Sequence, residues 1–400
     1  MHLTHLSLTN YRNFSRLDID VPAGSLILAG DNAQGKTSLL ESIYFLATME
    51  SFHAGHDRQL INFLATKEPQ AFARMVGTYY RGSEKHQLEV RLIQEPAGYN
   101  GTARLKKDVL LDGVKGKLSD VIGSFNAVLF LPQMMAVIEG APEERRRYLN
   151  IAMAQVIGYY PRALTAYHRA LTQRNALLKQ LSERGGDASQ LDFWDEELTG
   201  AGAQIIFARI RAVQELELQA ARIHRELTRG DEILRLCYTP SYDPLPAPQG
   251  QFAMHIDTPV DRSRIPLDQI QAGFREKLIK SRAEEIARGV TVTGPHRDEL
   301  RFLSNGIDLG TYGSRGQVRT TMLALKLAEV AWMKGKTGHW PVLLLDEVLA
   351  ELDTRRREDL LDRLSGCEQV LMTTTDLDLF NPKFTEASKV WRIEGGRIVQ

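Results

Sequence analysis

SLILAGDNAQGKTSLLESIYFL, residues 25–46, holds an eight-residue G-x-x-x-x-G-K-T head made by Gly30, Asp31, Asn32, Ala33, Gln34, Gly35, Lys36 and Thr37. The apolar run SLILA before it reads as a buried strand, and Leu39, Leu40, Ile43 and Leu46 after it fall on one helical stripe. Strand, Gly-rich turn and helix are the context in which such a loop cradles phosphate. Successive backbone N–H groups take the phosphate oxygens, Lys36 reaches the β and γ groups, and the Thr37 hydroxyl serves Mg²⁺. The expected ligands are therefore ATP and Mg²⁺.

Three hundred residues on, PVLLLDEV (341–348) sets four apolar residues before Asp346 and Glu347. That is the pattern of a parallel strand buried on both faces, which delivers its carboxylates at the C-terminal end. Asp346 is the second expected metal residue beside Thr37. Glu347 is placed to orient or deprotonate an attacking water, so Lys36 and Glu347 are the expected catalytic pair.

Between the two motifs lies YGSRGQVRTTMLALKLAEV (312–330), in which Ser314, Gly316 and Gln317 precede an apolar helix. Alone, S-x-G-Q reads equally as a helix cap. Leading straight into the strand of Asp346, it resembles the signature of ABC-type ATPases, whose loop closes on the γ-phosphate held by another subunit; an exposed helix start suits that anion. LAELD then puts Asp353 where that superfamily has its D-loop, and VLMTTTD places Thr373, Thr374 and Thr375 near the switch position, without the transporters' histidine. From Lys36 to Ser314 the gap is 314 − 36 = 278 residues, longer than a transport ATPase carries. The helical part of the insert covers only about 80–90 residues and is interrupted, too short for the long coiled coil of SMC proteins.

The expected fold is thus α/β: an ABC-type P-loop ATPase head, residues 1–140 and 286–400, with an inserted compact helical lobe and Pro-rich connector at 141–285. Strands are expected at the N-terminus and over 72–131, with an Asp-Gly hairpin at 112–113, and helices from APEERRRYLN (141–150) onward. Residues 239–265 read as a connector, followed by a helix near 266–289.

Composition sets limits. No run approaches the roughly 18 apolar residues that cross a bilayer, and the N-terminus lacks a secretory pattern. The 2 cysteines, Cys237 and Cys367, stand far apart, which fits a reducing cytoplasm. The 50 basic and 50 acidic residues cancel, so any nucleic-acid contact must come from a local patch.

Further stretches agree in order with one family: NYRNF (10–14), GAPEERRRYLN (140–150), QRNALLK (173–179), WDEELTGAGAQII (194–206), TGPHRDEL (293–300), SRGQVRT and LLLDEVLAELD. Together with the P-loop they make the chain resemble the RecF family of bacterial DNA replication and repair ATPases over essentially its whole length. The resemblance implies an ATP-dependent, slowly hydrolysing homodimer. It would bind gapped duplex and single-strand–double-strand junctions, work with RecO and RecR in loading RecA, and serve DNA repair and the SOS response. Members commonly carry Asp-Asp after the strand and Gln after S-x-G-Q; this chain has Glu347 and Val318, with Arg315 inside the signature.

Arg12 is a candidate for closing over the nucleotide, as related SMC-like heads use an arginine in that turn, or it is an exposed turn arginine. Arg145, Arg146 and Arg147, with the basic segments at 104–117 and 167–179, are candidate DNA phosphate contacts or solvated faces. Arg297, between His296 and Asp298, reads either as another such contact or as part of an internal network. A transport ATPase and a nucleotide-dependent module without turnover are the competing functions.

Overall fold

The computed structural model describes residues 1–67, 70–95, 104–245 and 260–399. Residues 246–259 of the expected connector lie outside that description. The chain forms two compact units, Met1–Met134 with Glu329–Gln400, and Met135–Ala328.

The first unit begins with β1 (His2–Tyr11), β2 (Phe14–Asp20), β3 (Gly24–Ala29), β4 (Phe72–Arg81), β5 (Glu84–Gln94), β6 (Leu105–Leu111), β7 (Val114–Gly116) and β8 (Ala127–Phe130). In the second unit stand β9 (Leu234–Thr239), β10 (Glu299–Ser304) and β11 (Ile307–Asp308). The first unit then resumes with β12 (Val342–Asp346), β13 (Gln369–Thr374), β14 (Lys389–Glu394) and β15 (Arg397–Val399).

Two six-stranded sheets build the first unit. One, in the order β2-β1-β4-β5-β6-β7, is antiparallel and turns at Asp112 and Gly113, whose φ values of 52° and 79° are those of the expected Asp-Gly hairpin. The other, β15-β14-β3-β13-β12-β8, is parallel except at the β14–β15 hairpin. Its inner strands are buried on both faces and apolar except at their ends: VLLLD of β12 and QVLMTT of β13 are buried at every position. The helix Lys36–Thr48 packs against this sheet and against β4 and β5 of the other, so Leu39 through Thr48 are all buried, more than the single stripe expected.

Register places the chemistry. Thr374 pairs with Ala29 and Thr373 with Asp346, so the C-terminal ends of β3, β13 and β12 lie side by side. Ligands of open parallel sheets bind at that edge.

In the second unit the helices Tyr160–Arg184, Leu191–Leu227 and Leu267–Arg288 pack against one another. The unit also contains β9, β10 and β11, which form an antiparallel sheet beside the long helix. It therefore reaches past the 141–285 lobe read from the sequence, with boundaries at 134/135 and 328/329. The physical reason is β9: LRLCYT pairs with residues 299–304, some sixty positions on, and ties that later segment to the helices.

A buried polar network holds these helices. Arg209 donates to Asp298 Oδ2 (2.7 Å), Pro295 O (2.6 Å) and Asn150 Oδ1 (3.0 Å), and Tyr238 also donates to Asp298. The internal role expected of Arg297 falls to its neighbours, since Arg297 itself is exposed while Asp298 is buried. His296 donates from Nε2 to Thr291 O (3.1 Å) and accepts at Nδ1 from Tyr167 OH (2.6 Å), which fixes a neutral tautomer. Burial lowers its pKa to about 4.

Unfolding therefore takes up a proton between the unfolded value near 6.5 and that depressed value. The contribution is complete above pH 6.5 and is lost as pH falls toward 4, amounting to about 2 kcal/mol at pH 5. His296→Gln keeps a donor and an acceptor but cannot titrate. Denaturant unfolding of both proteins at pH 7.5 and 5 should show that extra loss in the parent alone; equal losses would remove the histidine from the acid sensitivity.

Candidate nucleotide site

The loop after β3 is shaped by close backbone approaches. A Cβ on Gly30 would stand 2.5 Å from Ile393 O, and one on Gly35, at φ 110°, would stand 2.4 Å from Asn13 Nδ2. Ala33 takes the left-handed region at φ 63°. Gln34 braces the loop by accepting from Gly395 N at Oε1 (2.5 Å) and from Gly396 N at its carbonyl (2.9 Å). Asp31, Asn32 and Ala33 are left exposed. No side chain caps the helix that starts at Lys36, so its first N–H groups remain available to an anion.

Lys36 is 4% exposed, and its Nζ donates to Gly30 O (2.5 Å) and Asp31 O (3.2 Å). It also lies 3.1 Å from Glu347 Oε1, which is buried and has no hydrogen-bond partner of its own. An ammonium aimed at the loop's own carbonyls and at one carboxylate can exchange these partners for phosphate oxygens.

Thr37 Oγ1 lies 2.9 and 3.0 Å from the two carboxylate oxygens of Asp346. Thr373 Oγ1 donates to Asp346 Oδ1 (2.7 Å) and accepts from Glu347 N (3.0 Å). Glu347 is held at φ 52°, a left-handed conformation that a non-glycine residue adopts at some cost and that here turns its carboxylate toward Lys36. The set Thr37–Asp346 offers hard oxygen donors to a small divalent cation. Among the described residues no group of three or more His, Cys, Asp or Glu could cage a metal. Mg²⁺ needs no such cage, since it keeps water and phosphate as ligands.

Lys36, Thr37, Asp346 and Glu347, named from two distant motifs, thus form one cluster, and Thr373 joins it as the residue fixing Asp346. Thr374 instead donates to Asp376 O, and exposed Thr375 borders a hollow of ≈ 610 Å³ beside Gly30 and Gln34. Arg12 sits at φ 51° and grips Glu41 with two bonds (2.7 and 2.8 Å). Burial pushes the Glu41 carboxyl up, but its bonds to Arg12 and Ser51 outweigh that and hold it below the usual range. Arg12 is thus fastened to the phosphate-loop helix, a partner that sequence reading missed because Glu41 lies on what looked like a solvent face.

Ser314, Gly316 and Gln317 belong to the second unit. Ser314 Oγ accepts from Gln317 N (3.2 Å) and Gln317 Oε1 accepts from Ser314 N (3.0 Å), a reciprocal capping box. Gln317 also donates to Glu232 Oε1 (3.2 Å), which no sequence signal indicated. Ser314, Arg315 and Gly316 are exposed, and a Cβ on Gly316 would meet nothing nearer than Ser314 Oγ at 3.9 Å. The cap reading and an open surface are thus both present. Asp353 caps the helix Thr354–Leu364 through Arg356 N (2.9 Å), a bond that lowers its pKa.

The arginine run needs correction. Arg145 is bound to both oxygens of Glu299 (2.5 and 2.8 Å) and to Gly140 O, and Arg146 to Asp298 O and Glu143. Their charge is engaged internally by partners as far as 154 positions away, so neither offers a free phosphate contact; Arg147 is exposed. In the other two segments, Lys107 pairs with Asp57 and Arg174 is fully buried.

The family described as RecF/RecN/SMC N terminal domain matches residues 2–397. The DNA replication and repair protein RecF of Roseiflexus castenholzii is 39% identical over 411 residues, covering 100% of this chain and 99% of that protein. The same protein of Enterococcus faecalis is 34% identical, covering 100% and 98%. A solved structure of the recombination mediator protein RecF-ATP in the RecFOR pathway superposes with a TM-score of 0.80 at 28% identity, covering 99% of this chain and 96% of that one. An Smc head domain of Pyrococcus furiosus, at 16% identity and a TM-score of 0.51, shares the fold. The architecture is that of an SMC-like ABC ATPase head, and the chain belongs to the RecF family of DNA replication and repair proteins.

Proposed function

We propose that this chain is a cytoplasmic ATPase of replication and recombinational repair that closes as a homodimer on gapped DNA and opens when ATP is hydrolysed. The observation that carries this reading is the cluster at the sheet edge, where Lys36, Thr37, Asp346 and Glu347 converge from positions three hundred residues apart. The loop N–H groups and Lys36 would hold the β and γ phosphates. Thr37 and Asp346 would hold Mg²⁺, which supplies charge neutralisation between phosphate oxygens. Thr373 keeps Asp346 oriented, and Glu347 accepts the proton of the attacking water. Support for ATP comes from the RecF-ATP structure named above, and the RecFOR pathway in its name supports RecO and RecR as partners.

Closure follows from the second unit. Ser314 and Gly316 stand exposed, with half-buried Gln317 beside them, at the start of a 23-residue helix, suited to a γ-phosphate carried by a second copy, with Asp353 of the D-loop between the two sites. Contacts made only with triphosphate favour the closed state, and cleavage of the γ group removes them.

Ser314→Arg tests this. Sedimentation with a non-hydrolysable ATP analogue and gapped duplex should show the parent as a dimer and the variant with dimerisation weakened about 100-fold, a 2–4 kcal/mol interface effect. Nucleotide binding by the variant should be unchanged. A variant that still dimerises with parent affinity would refute the cross-subunit role.

A further inference from the structure

With Arg145 and Arg146 engaged internally, the positive surface that a DNA-binding member needs must lie elsewhere. The C-terminal end of the helix Leu191–Leu227 and the start of β9 enclose a hollow of ≈ 840 Å³ bordered by Arg222, Arg225, Arg229 and Arg235. All four are exposed. Arg235 pairs with Glu217 (3.1 Å) and Arg222 donates to Gln219 (3.2 Å), while Arg225 and Arg229 have no ion pair among the described residues. Glu226 and Glu232 also line the hollow, so its four arginines leave a local excess of two positive charges (4 − 2 = 2) in a chain whose 50 basic and 50 acidic residues cancel.

We propose that this hollow binds the phosphodiester backbone of DNA. Arg222 and Arg225, three positions apart, share one face of the helix Leu191–Leu227, and Arg229 follows just past its end on the border of the same hollow, enough cations for roughly three phosphates of one strand. Every cation is an arginine, whose planar fork matches phosphate oxygens in a way a lysine does not.

Arg229 carries a second indication. It occupies the left-handed position that ends the helix, φ 56°, with Gly230 N bonded to Arg225 O (2.8 Å). A glycine would be relaxed there, and one follows immediately, yet the chain keeps a guanidinium at the strained position. One basic residue in the last turn would suffice to complement the helix dipole, and the surplus faces the hollow. Glu232 on its border also receives Gln317. The site therefore adjoins the residues proposed to sense a second copy's nucleotide, and occupancy by DNA would be felt at the signature helix.

This inference rests on the DNA-binding reading above, and the test separates the two. Arg222→Gln, Arg225→Gln and Arg229→Gln are combined in one variant, and binding of fluorescent gapped duplex is followed by anisotropy from 50 to 300 mM salt. A control variant carries Lys280→Gln and Arg288→Gln, surface residues of the same unit paired with Glu276 and Glu284. The triple variant should lose about 10-fold or more in affinity at low salt, and its slope of log affinity against log salt should shrink by about 2–3, near 0.9 per phosphate contact. Its thermal melting and nucleotide binding should match the parent, as should DNA binding by the control. Parent affinity and slope in the triple variant would overturn this site and leave the DNA-binding reading standing; a parent that does not bind DNA would overturn both. Displacement of the DNA by polyglutamate as effectively as by an unlabelled oligonucleotide would assign the hollow to an acidic protein instead.

Discussion

Glu347→Gln is expected to cut ATP turnover by about 10²- to 10⁴-fold, the usual contribution of a positioned general base, while ATP binding is kept or tightened. Glutamine preserves the size of the side chain but cannot take a proton. The φ of 52° at residue 347 and the bond from its N–H to Thr373 Oγ1 do not depend on the carboxylate, so Asp346 should keep its place. Binding should not suffer, because Glu347 Oε1 lies 3.1 Å from Lys36 Nζ and competes with phosphate for it. The check is single-turnover hydrolysis beside equilibrium binding of a fluorescent ATP analogue. The variant should also accumulate as the closed dimer with ordinary ATP. Turnover within a factor of about three of the parent would mean that another group activates the water.

Arg174→Met is expected to destabilise the second unit by about 3–5 kcal/mol, the cost of leaving buried charge without its partner. Arg174 is 0% exposed and donates to Asp195 Oδ1 (2.7 Å) and Thr291 Oγ1 (2.8 Å). Its Nη2 lies 2.7 Å from Glu285 Oε2, off the hydrogen-bond direction but well inside ion-pair range. Asp195 retains Arg282 as a second cation (2.6 Å), whereas Glu285 has no other ion pair among the described residues. The loss is therefore expected to come chiefly from Glu285, and Arg174→Met combined with Glu285→Gln should recover a large part of it. Urea unfolding followed by helical circular dichroism measures both variants. Against total stabilities of about 5–15 kcal/mol the single loss would be plain, and a change below about 1 kcal/mol would show that water reaches these charges.

What could be read from the sequence divides along a physical line. The loop at Gly30–Thr37 and the strand ending at Asp346 announce themselves because each is a local pattern: glycines where the backbone must approach a neighbour, and a fully apolar run where both sheet faces are covered. Their meeting is a matter of register, Thr373 against Asp346 and Thr374 against Ala29, and parallel-strand logic anticipated it. Pairings between distant single residues left no such trace. Glu41 looks like an ordinary helix acid until Arg12 is seen on it, and the run Arg145–Arg147 looks like a DNA patch until Glu299 is seen beside it. β9 leaves little mark in the sequence, because six residues beside a Pro-rich stretch carry little signal without their partner β10. The capping box at Ser314 shows the converse limit: the same four residues satisfy a helix start and suit an anion, and local pattern alone does not choose between them.

The phosphate loop emerges early from the ribosome, yet Gln34 is braced by the amides of Gly395 and Gly396, and the carbonyl of Ile393 sits where a side chain on Gly30 would go. Residue 395 is translated 395 − 34 = 361 positions after residue 34, roughly 20–70 s later at ordinary bacterial rates. A nascent chain would pass that interval with the loop unbraced, so nucleotide capture should await the synthesis of Gly395 and Gly396.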